Sequence, residues 1–178
     1  VSIHVETLNE PPDSLDLAPR SFDENLPPHH FVGNLSSTDP DEGDTAVYEL
    51  VIGFGNHSLF KVEGDKLYFE TTADYEALSS YSIRVRVTDS GGLCFEQDFE
   101  IQVNNVNETP SALTLGNADA QGHLAADENS PVGLPLGILA GADLDRNDAL
   151  RFELIPGYGD NSKVSIQGNV LTLSWTPD

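Results

Sequence analysis

The sequence has few basic residues for its size. Its 178 residues include 8 Lys and Arg against 30 Asp and Glu, which gives a formal net charge of −22 at pH 7. Such a chain repels phosphate groups and anionic lipid headgroups, because binding to either depends on neutralising negative charge. We therefore expect no nucleic-acid partner and no docking on an anionic membrane surface.

Cysteine and long apolar runs are also scarce. Cys94 is the only cysteine, which excludes a disulfide framework within the chain and a cysteine zinc site. No apolar run approaches the roughly 20 residues that a membrane-spanning helix needs, so we expect no direct membrane insertion. The opening VSIHVE lacks the basic and apolar regions of a signal peptide and is typical of the end of a strand. We interpret the chain as a segment of a longer protein.

The chain repeats itself, and the repeat sets the predicted layout. A shift of 104 positions places residues 23–74 on residues 127–178 with 18 identities in 52 positions, where chance gives about three or four. A shift of 98 places residues 3–12 on 101–110, so the second repeat carries 104 − 98 = 6 extra residues. The predicted layout is the end of a preceding repeat with its linker in 1–10, a complete repeat in 11–108 and the amino-terminal part of a second repeat, without its last two strands, in 109–178.

The pattern of apolar residues predicts an all-β fold. Tyr81–Val87 and Phe95–Val103 alternate apolar and polar residues, which is typical of half-buried strands, and Asp89–Gly92 predicts a hairpin turn between them. Shorter apolar runs bounded by turn residues predict further strands. These lie at Asp16–Phe22, Val32–Ser37, Val47–Ile52, Phe60–Val62 and Leu67–Phe69. Seven strands in about 98 residues indicate a β-sandwich.

Acidic groups stand between the predicted strands. They are Asp23-Glu24-Asn25, Asp39-Pro40-Asp41, Asp74-Tyr75-Glu76 and Asn105-Val106-Asn107-Glu108. A one-residue spacer on an extended backbone points two carboxylates to the same side, and Ca²⁺ takes six to eight oxygen ligands. Each group alone is also a good polar turn. Because Asp-Glu-Asn and Asp-x-Asp recur at the same offset in the second repeat, we favour calcium binding.

The order of these motifs resembles a cadherin repeat. Asp-Glu-Asn-x-Pro, Thr-Asp-Pro-Asp-x-Gly, Ala-Asp-Tyr-Glu, Tyr-Ser-Ile-Arg-Val-Arg-Val-Thr-Asp and Val-x-Asn-Val-Asn-Glu-Thr-Pro follow one another along nearly the whole chain. The resemblance is closest to the cadherin-like tandem repeats of large bacterial adhesins and secreted surface proteins. It implies seven-strand, immunoglobulin-like Greek-key sandwiches in tandem, with Ca²⁺ at the junctions between repeats and an extracellular or cell-surface location.

The resemblance also implies two sets of calcium ligands. The inter-repeat set is Glu24, Asp74, Glu76, Asn105, the Val106 carbonyl, Asn107, Glu108, Asp143 and Asp145. A partial upstream set is Asn9, Glu10, Asp39, Asp41 and Asp89. Asn105 and Thr7 stand where the family has Asp, and each removes a charge that would strengthen its junction. The second repeat lacks equivalents of Glu76 and Asp89, so the junction site that Asp89 would complete is expected to be partial.

Three functions fit this sequence to different degrees. The leading interpretation is a calcium-rigidified spacer or adhesion segment, homophilic adhesion included, of a membrane-associated parent. Its expected partners are neighbouring repeats and another adhesin, glycan or protein of the cell surface. A carbohydrate- or peptide-binding module is the alternative, and it needs exposed aromatic side chains grouped on one face, whereas the sequence offers Trp175 and scattered tyrosines. Asp74 and Glu76 could serve acid–base glycoside hydrolysis, but acids that recur in every linker argue against an enzyme.

Overall fold

The computed structural model describes residues 8–145 and 148–178, and these form β-sheets with two short 3-10 turns. The chain divides into two compact units, Val1–Val106 (unit 1) and Asn107–Asp178 (unit 2). Most of the predicted end of a preceding repeat, with Thr7, lies outside the described residues. No helix in the described ranges has the length and apolar character to cross a bilayer.

Unit 1 is a sandwich of two four-stranded sheets with the orders β1-β3-β6-β5 and β2-β8-β7-β4. All pairs are antiparallel except β2 with β8, which is parallel. Several strands that are consecutive in the sequence, such as β1 and β2, lie in different sheets, as in a Greek key. The strands are β1 Ser14–Ala18, β2 Ser21–Asp23, β3 His30–Thr38, β4 Val47–Leu50, β5 Phe60–Glu63, β6 Lys66–Phe69, β7 Ser80–Thr88 and β8 Cys94–Asn104.

The core of unit 1 follows from the alternation of its strands. In β7 the inward residues are fully or nearly fully buried, and the residues between them point to solvent. The opposite sheet supplies aliphatic and aromatic side chains to the same core, where burial of each large one stabilises the fold by roughly 1.5–3 kcal/mol. The largest fully buried side chains are Phe69, Leu17, Leu67, Ile83, Ile101, Val32, Val85 and Val87.

One predicted strand is divided in two. The sequence predicts a single strand over Asp16–Phe22, but β1 ends at Ala18 and β2 begins at Ser21. Pro19 lies between them and has no N–H to donate to a ladder. β1 therefore pairs with β3 in one sheet, and β2 pairs with β8 in the other. The remaining predicted strands are present, with ends that differ by at most two residues.

Unit 2 contains one sheet with the order β11-β12-β10-β9, all antiparallel. Its strands are β9 Ala112–Leu115, β10 Pro135–Ala142, β11 Val164–Gln167 and β12 Val170–Leu173. This order matches β5-β6-β3-β1 of unit 1. No second sheet covers it within the part of unit 2 that the structure describes. Residues 151–154, which match β4 in the repeat, form no strand.

The backbone repeats along with the sequence. Asn25 and Asn129, which match in the repeat, have φ values of 60° and 62°. The left-handed conformation is uncommon for a residue with a side chain, and Asn is among those that tolerate it best. The 3-10 turns His57–Leu59 and Asn161–Lys163 also fall at matching positions. The local turns therefore form in the same way in both units, whether or not a second sheet is present.

Gly55 provides a test of how tightly one of these turns packs on β7. Its φ is +50°, and an added Cβ would lie 2.2 Å from the carbonyl oxygen of Ser82. Gly159 is its match in unit 2, with φ +46°, and there an added Cβ would meet nothing within 4 Å. We expect Gly159→Ala to cost only the backbone strain, about 1–2 kcal/mol. Gly55→Ala adds the clash, roughly a further 1–3 kcal/mol.

Hydrogen exchange resolved by peptide measures both losses in one chain, because β7 reports on unit 1 and β10 on unit 2. We expect the Gly55→Ala variant to lose more protection in β7 than the Gly159→Ala variant loses in β10. Equal losses would show that the Ser82 contact does not hold the turn.

Candidate metal centre

The acids of unit 1 collect at the two ends of the β7–β8 pair. Glu24, Asp74 and Glu76 form the base cluster, beside the start of β7 and the end of β8. Asp39, Asp44 and Asp89 form the upper cluster, beside the end of β7. In each cluster, one carboxylate oxygen from every residue lies within 4.8 Å of the others. The sequence predicted five of these six residues as ligands.

Glu24 organises the base cluster. It is only 3% exposed, and its two carboxylate oxygens accept hydrogen bonds from the Tyr75 N–H at 2.7 Å and the Val106 N–H at 2.9 Å. The side-chain amide of Asn105 donates to Glu76 at 3.0 Å. The stretch before β7 and the stretch after β8 are therefore both held to Glu24 or Glu76. The structure brings together the predicted unit 1 residues of the inter-repeat set.

The upper cluster contains two residues of the predicted upstream set, Asp39 and Asp89. Asp89 is 6% exposed and accepts from the side-chain amide of Asn9 at 3.0 Å and from the Leu93 N–H at 2.8 Å. Asp41 stands apart from the cluster, with one oxygen accepting from the Glu10 N–H at 2.8 Å. It is tied to the cluster through its own N–H, which donates to Asp39 at 2.9 Å.

Asp44 is the member of the upper cluster that the sequence reasoning missed. Its carboxylate accepts from the N–H groups of Thr45 at 2.7 Å and Ser90 at 3.2 Å. Hydrogen bonds from Ser90 and from the Thr45 backbone hold the pKa of Asp44 below its ordinary value, so it remains ionised. The signal was in the repeat, because Asp44 and Asp148 are identical at the shift of 104.

Unit 2 repeats the acids of this turn, but here the match of Asp41, Asp145, belongs to the cluster. Asp143, Asp145 and Asp148 offer carboxylate oxygens within 4.8 Å of one another and are called the second cluster here. The Asp145 N–H donates to Asp143 at 3.1 Å, and the Glu108 N–H donates to Asp145 at 2.8 Å. These two hydrogen bonds match those of Asp41 to Asp39 and of Glu10 to Asp41 in unit 1. Asp145 is 8% exposed.

The chemistry of the three clusters suits a hard cation. Their donors are carboxylate oxygens, with amide groups of Asn9 and Asn105 beside them, and the clusters contain no imidazole or thiolate. Oxygen donors of this kind are the ligands that Ca²⁺ prefers, in sets of six to eight. Three ionised carboxylates so close together also repel one another unless a cation or hydrogen-bond donors neutralise them. The described ligands therefore fit the calcium that the sequence predicted.

The structure also groups aromatic side chains that look scattered in the sequence. His29 stacks on Tyr68 with ring centroids 4.5 Å apart and an interplanar angle of 3°. Phe31 meets Tyr68 edge-on at 6.0 Å and is 44% exposed. The pairing of β3 with β6 places Phe31 opposite Tyr68 on the outer face of that sheet. This outer patch is the feature that the alternative binding function requires.

Comparisons with known proteins point to cadherins. The chain is 31% identical to human Protocadherin-16 over 125 residues, covering 64% of the chain and 4% of that protein. It is 27% identical to mouse Protocadherin Fat 2 over 144 residues, covering 77% of the chain and 3% of that protein. Human Cadherin-24 is 27% identical over 187 residues, covering 94% of the chain and 22% of that protein. A scan against protein-family models found no match.

Solved structures of cadherin ectodomains share the fold. Human Protocadherin-24 EC1-2 matches with a TM-score of 0.69 at 16% identity, covering 96% of this chain and 80% of that one. The extracellular cadherin domains 1-4 of Protocadherin Gamma B7 match with a TM-score of 0.57 at 20% identity, covering 92% of this chain and 42% of that one. Another match is described as a cis-dimer of Protocadherin gammaB7.

These comparisons confirm the predicted cadherin-like, extracellular, β-sandwich character of the chain. They support the predicted likeness to the cadherin domain family, and they do not support the narrower likeness to the repeats of bacterial adhesins. The relatives are adhesion proteins and not enzymes. The chain spans 22% or less of the length of the three relatives named above.

The burial of Glu24 gives a test that needs no metal. Glu24→Gln keeps the shape of the side chain but replaces one acceptor oxygen with an NH₂ group, which cannot accept from both Tyr75 and Val106. Leaving one buried N–H unpaired costs roughly 1–3 kcal/mol. We expect a loss of this size in the free energy of unfolding of unit 1, measured by urea denaturation in chelator.

Glu128→Gln is the matched control, since Glu128 stands at the same position of the second repeat and is exposed. It should leave unfolding unchanged within error. A Glu24→Gln protein as stable as the wild type would mean that the two hydrogen bonds do not hold the base of unit 1.

Proposed function

We propose that the chain is a calcium-binding extracellular repeat segment that serves as a stiffened spacer or adhesion segment of a larger cell-surface or secreted protein. The observation that carries this proposal is the duplication of the acid cluster. Asp39, Asp41 and Asp44 in unit 1 recur as Asp143, Asp145 and Asp148 in unit 2, and the hydrogen bonds of the first two acids in each copy match. A polar turn alone does not require three matching carboxylates in each copy.

The proposed ligands form two sets. The inter-repeat set is Glu24, Asp74, Glu76, Asn105, Val106, Asn107, Glu108, Asp143 and Asp145, joined along the continuous run from Asn105 to Glu108. The upstream set is Asn9, Glu10, Asp39, Asp41 and Asp89, to which we add Asp44, with Asp148 in the second cluster. The hydrogen bonds to Glu24, Asp89 and Asp145 support these sets, because they hold the carboxylates in place before any cation binds.

The layout and the partners belong to the same proposal. We propose a complete repeat in 11–108 and the amino-terminal part of a second in 109–178, with other repeats of the same kind as immediate partners. Another adhesin, or a glycan or protein of the cell surface, would be the adhesive partner. The cis-dimer described for Protocadherin gammaB7 supports association between segments of this kind. Homophilic adhesion is part of the same proposal.

A carbohydrate- or peptide-binding module is the second candidate. The outer patch of His29, Phe31 and Tyr68 favours it, because exposed aromatic rings are common contact surfaces for sugars and peptides. A glycan array, set against the calcium dependence of thermal stability, distinguishes a carbohydrate-binding module from a spacer, which has no need of a specific glycan. The acid clusters do not contribute to this patch, so the two candidates rest on separate residues.

Calcium should raise the melting temperature and a chelator should lower it. Extracellular calcium modules bind with Kd near 10⁻⁴–10⁻³ M. At ten times Kd each site stabilises the folded state by about 1.4 kcal/mol, which corresponds to a shift of roughly 5–10 °C for a unit of this size. Differential scanning calorimetry in chelator and in ~10 mM Ca²⁺ measures the shift. An identical melt in both conditions would contradict calcium binding.

Three variants localise the effect. Asp39→Ala and Asp143→Ala should each remove part of the calcium-induced shift while leaving the melt in chelator nearly unchanged. Asp160→Ala is the control, because Asp160 is an exposed acid paired with Lys163 at 2.9 Å and belongs to none of the three clusters. If Asp160→Ala removes as much of the shift as Asp143→Ala, the effect is general charge screening and not a site.

Stiffening is a separate property, and small-angle scattering measures it. A cation bound by ligands on both sides of the linker would restrict motion between the units, whereas the free carboxylates repel. We expect the wild type to show a narrower range of dimensions in Ca²⁺ than in chelator, and Asp143→Ala to lose this difference. Asp39→Ala, at the matching position of unit 1, should keep it. A wild type with the same scattering in both conditions would refute the stiff-spacer role.

A further inference from the structure

The outer patch of unit 1 lies beside an acceptor motif for N-linked glycans. The sequence contains three Asn-x-Ser/Thr triplets, which begin at Asn34, Asn56 and Asn107. Such a triplet serves as an acceptor in a chain that passes through the secretory pathway. The extracellular location that the comparisons confirm meets this condition. The structure then shows how each of the three asparagines is placed in the folded chain.

Two of the three asparagines are engaged in hydrogen bonds. The Asn56 Oδ1 accepts from the Ser82 N–H at 3.0 Å, and the Asn56 N–H donates to the Ser82 carbonyl at 2.7 Å. Asn107 donates through Nδ2, the atom that would carry a sugar, to the Glu108 carbonyl at 3.0 Å. Asn34 is exposed on β3, and its side chain forms no hydrogen bond among the described residues. Asn34 is therefore the asparagine that the fold leaves open for a bulky substituent.

A β-bulge turns Asn34 toward the outer patch. Residues three apart on a regular strand point to opposite faces, but the pairing of β3 with β6 shifts its register between Phe31 and Gly33. Val32 and Gly33 are consecutive, and both are buried. Phe31 and Asn34, on either side of them, are both exposed. The extra residue of the bulge reverses the alternation, so Phe31 and Asn34 lie on the same outer face of the sheet.

The partner strand completes a surface around Asn34. Lys66 stands opposite Asn34, and Tyr68, two residues further on, stands opposite Phe31. Diagonal neighbours in a ladder are roughly 7–8 Å apart, which is within reach of long side chains, so a sugar on Asn34 reaches this aromatic pair. His29 already covers one face of Tyr68, and Phe31 offers the open ring. The Lys66 ammonium adds N–H donors for sugar hydroxyls.

The motif and the patch belong to unit 1 and not to the repeat as such. At the shift of 104, Ile138 stands at the position of Asn34, and Pro135 stands at the position of Phe31. Ile138 is 55% exposed, so this outer position is open to solvent in both units. The fold of the repeat thus requires neither the triplet nor the aromatic ring, and the two occur together.

We propose that Asn34 carries an N-linked glycan and that the first sugar of this glycan packs against Phe31 and Tyr68. The donor is an oligosaccharide on a lipid diphosphate. The bond from sugar C1 to the diphosphate oxygen breaks, a bond from C1 to the Asn34 Nδ2 forms, and the proton that Nδ2 loses leaves on the diphosphate. The apolar C–H face of the attached N-acetylglucosamine then covers aromatic surface that water otherwise contacts.

An attached glycan accounts for the outer patch better than a free ligand does. A sugar linked three residues from Phe31 is held at a high effective concentration beside the ring, whereas a free sugar or peptide must bind from solution. The glycan would also cover the patch that the second candidate function needs. The proposal involves none of the acid clusters, so it stands or falls separately from calcium binding.

Mass spectrometry of the chain secreted from cultured animal cells tests the attachment. An amidase that releases N-linked glycans converts a glycosylated asparagine to aspartate, and we expect this conversion at Asn34 in most secreted molecules. Ser36→Ala breaks the triplet and should abolish the conversion. Ser58→Ala and Thr109→Ala break the other two triplets and are the matched controls, which should leave Asn34 converted. A secreted wild type with Asn34 unmodified would overturn the proposal.

A melting experiment tests the contact between the sugar and the patch. The secreted chain, trimmed by an endoglycosidase to its first sugar, is compared with the same sequence made in a bacterial host that attaches no glycan. We expect the sugar to raise the melting temperature of the wild type by roughly 2–5 °C. Phe31→Ser should lose most of this increase. Val47→Ser is the control and should keep it, because Val47 is 58% exposed and lies in the other sheet.

Nuclear magnetic resonance measures the same contact without a variant. In the trimmed wild type we expect nuclear Overhauser contacts between the Phe31 ring and the protons of the first sugar. The absence of these contacts would overturn the proposal, and so would an increase in melting temperature that survives Phe31→Ser.

Discussion

The interaction on which the ends of unit 1 depend is the hydrogen bond from a backbone N–H to a buried carboxylate. Glu24 holds the stretches before β7 and after β8, and Asp89 holds the turn between them. Each bond satisfies a donor that the sheets leave unpaired, and each also fixes where a negative charge lies. The sandwich end and the proposed cation site are consequently built from the same groups, since a carboxylate that accepts one N–H still has lone pairs for a cation.

Hydrogen bonds and ion pairs to the carboxylates explain how a chain with 30 acids and 8 bases forms compact units. Part of the charge is paired across strands, as in Arg84 with Asp98 and Arg86 with Glu96 on the outer face of β7 and β8. Such exposed pairs contribute little stability each, about 0–1 kcal/mol. Among the described residues, the carboxylates of the three clusters form no ion pair with a basic side chain, and backbone donors neutralise them only partly. The proposed divalent cation would supply the remaining neutralisation.

The sequence predicted the fold and most of the site because both are written in local patterns. Alternation located β7 and β8, and the recurrence of short acid motifs pointed to most of the acids that the structure groups in the three clusters. Local patterns did not predict two features, because each depends on pairing with residues far away in the sequence. The division at Pro19 is visible only once β1 and β2 are seen to pair in different sheets. The outer patch needs the register of β3 on β6, which brings Phe31 to Tyr68 across 37 residues of sequence. Asp44 was predictable from the sequence, because it matches Asp148 in the repeat, but it lies outside the Asp-x-Asp motif on which the prediction was based.

The two units separate local from tertiary causes within one chain. The turns at Asn25 and Asn129, and the hydrogen bonds of the Asp-x-Asp turns, are the same in both units, although among the described residues a second sheet is present in unit 1 alone. The acid turns therefore need the first sheet and their own sequence, and no more. The β4 segment behaves otherwise, because Val47–Leu50 is a strand where β7 pairs with it, whereas its match in unit 2, residues 151–154, forms none. The proposed cation binding at the Asp-x-Asp turn therefore does not require a second sheet, so it can be tested in each unit separately.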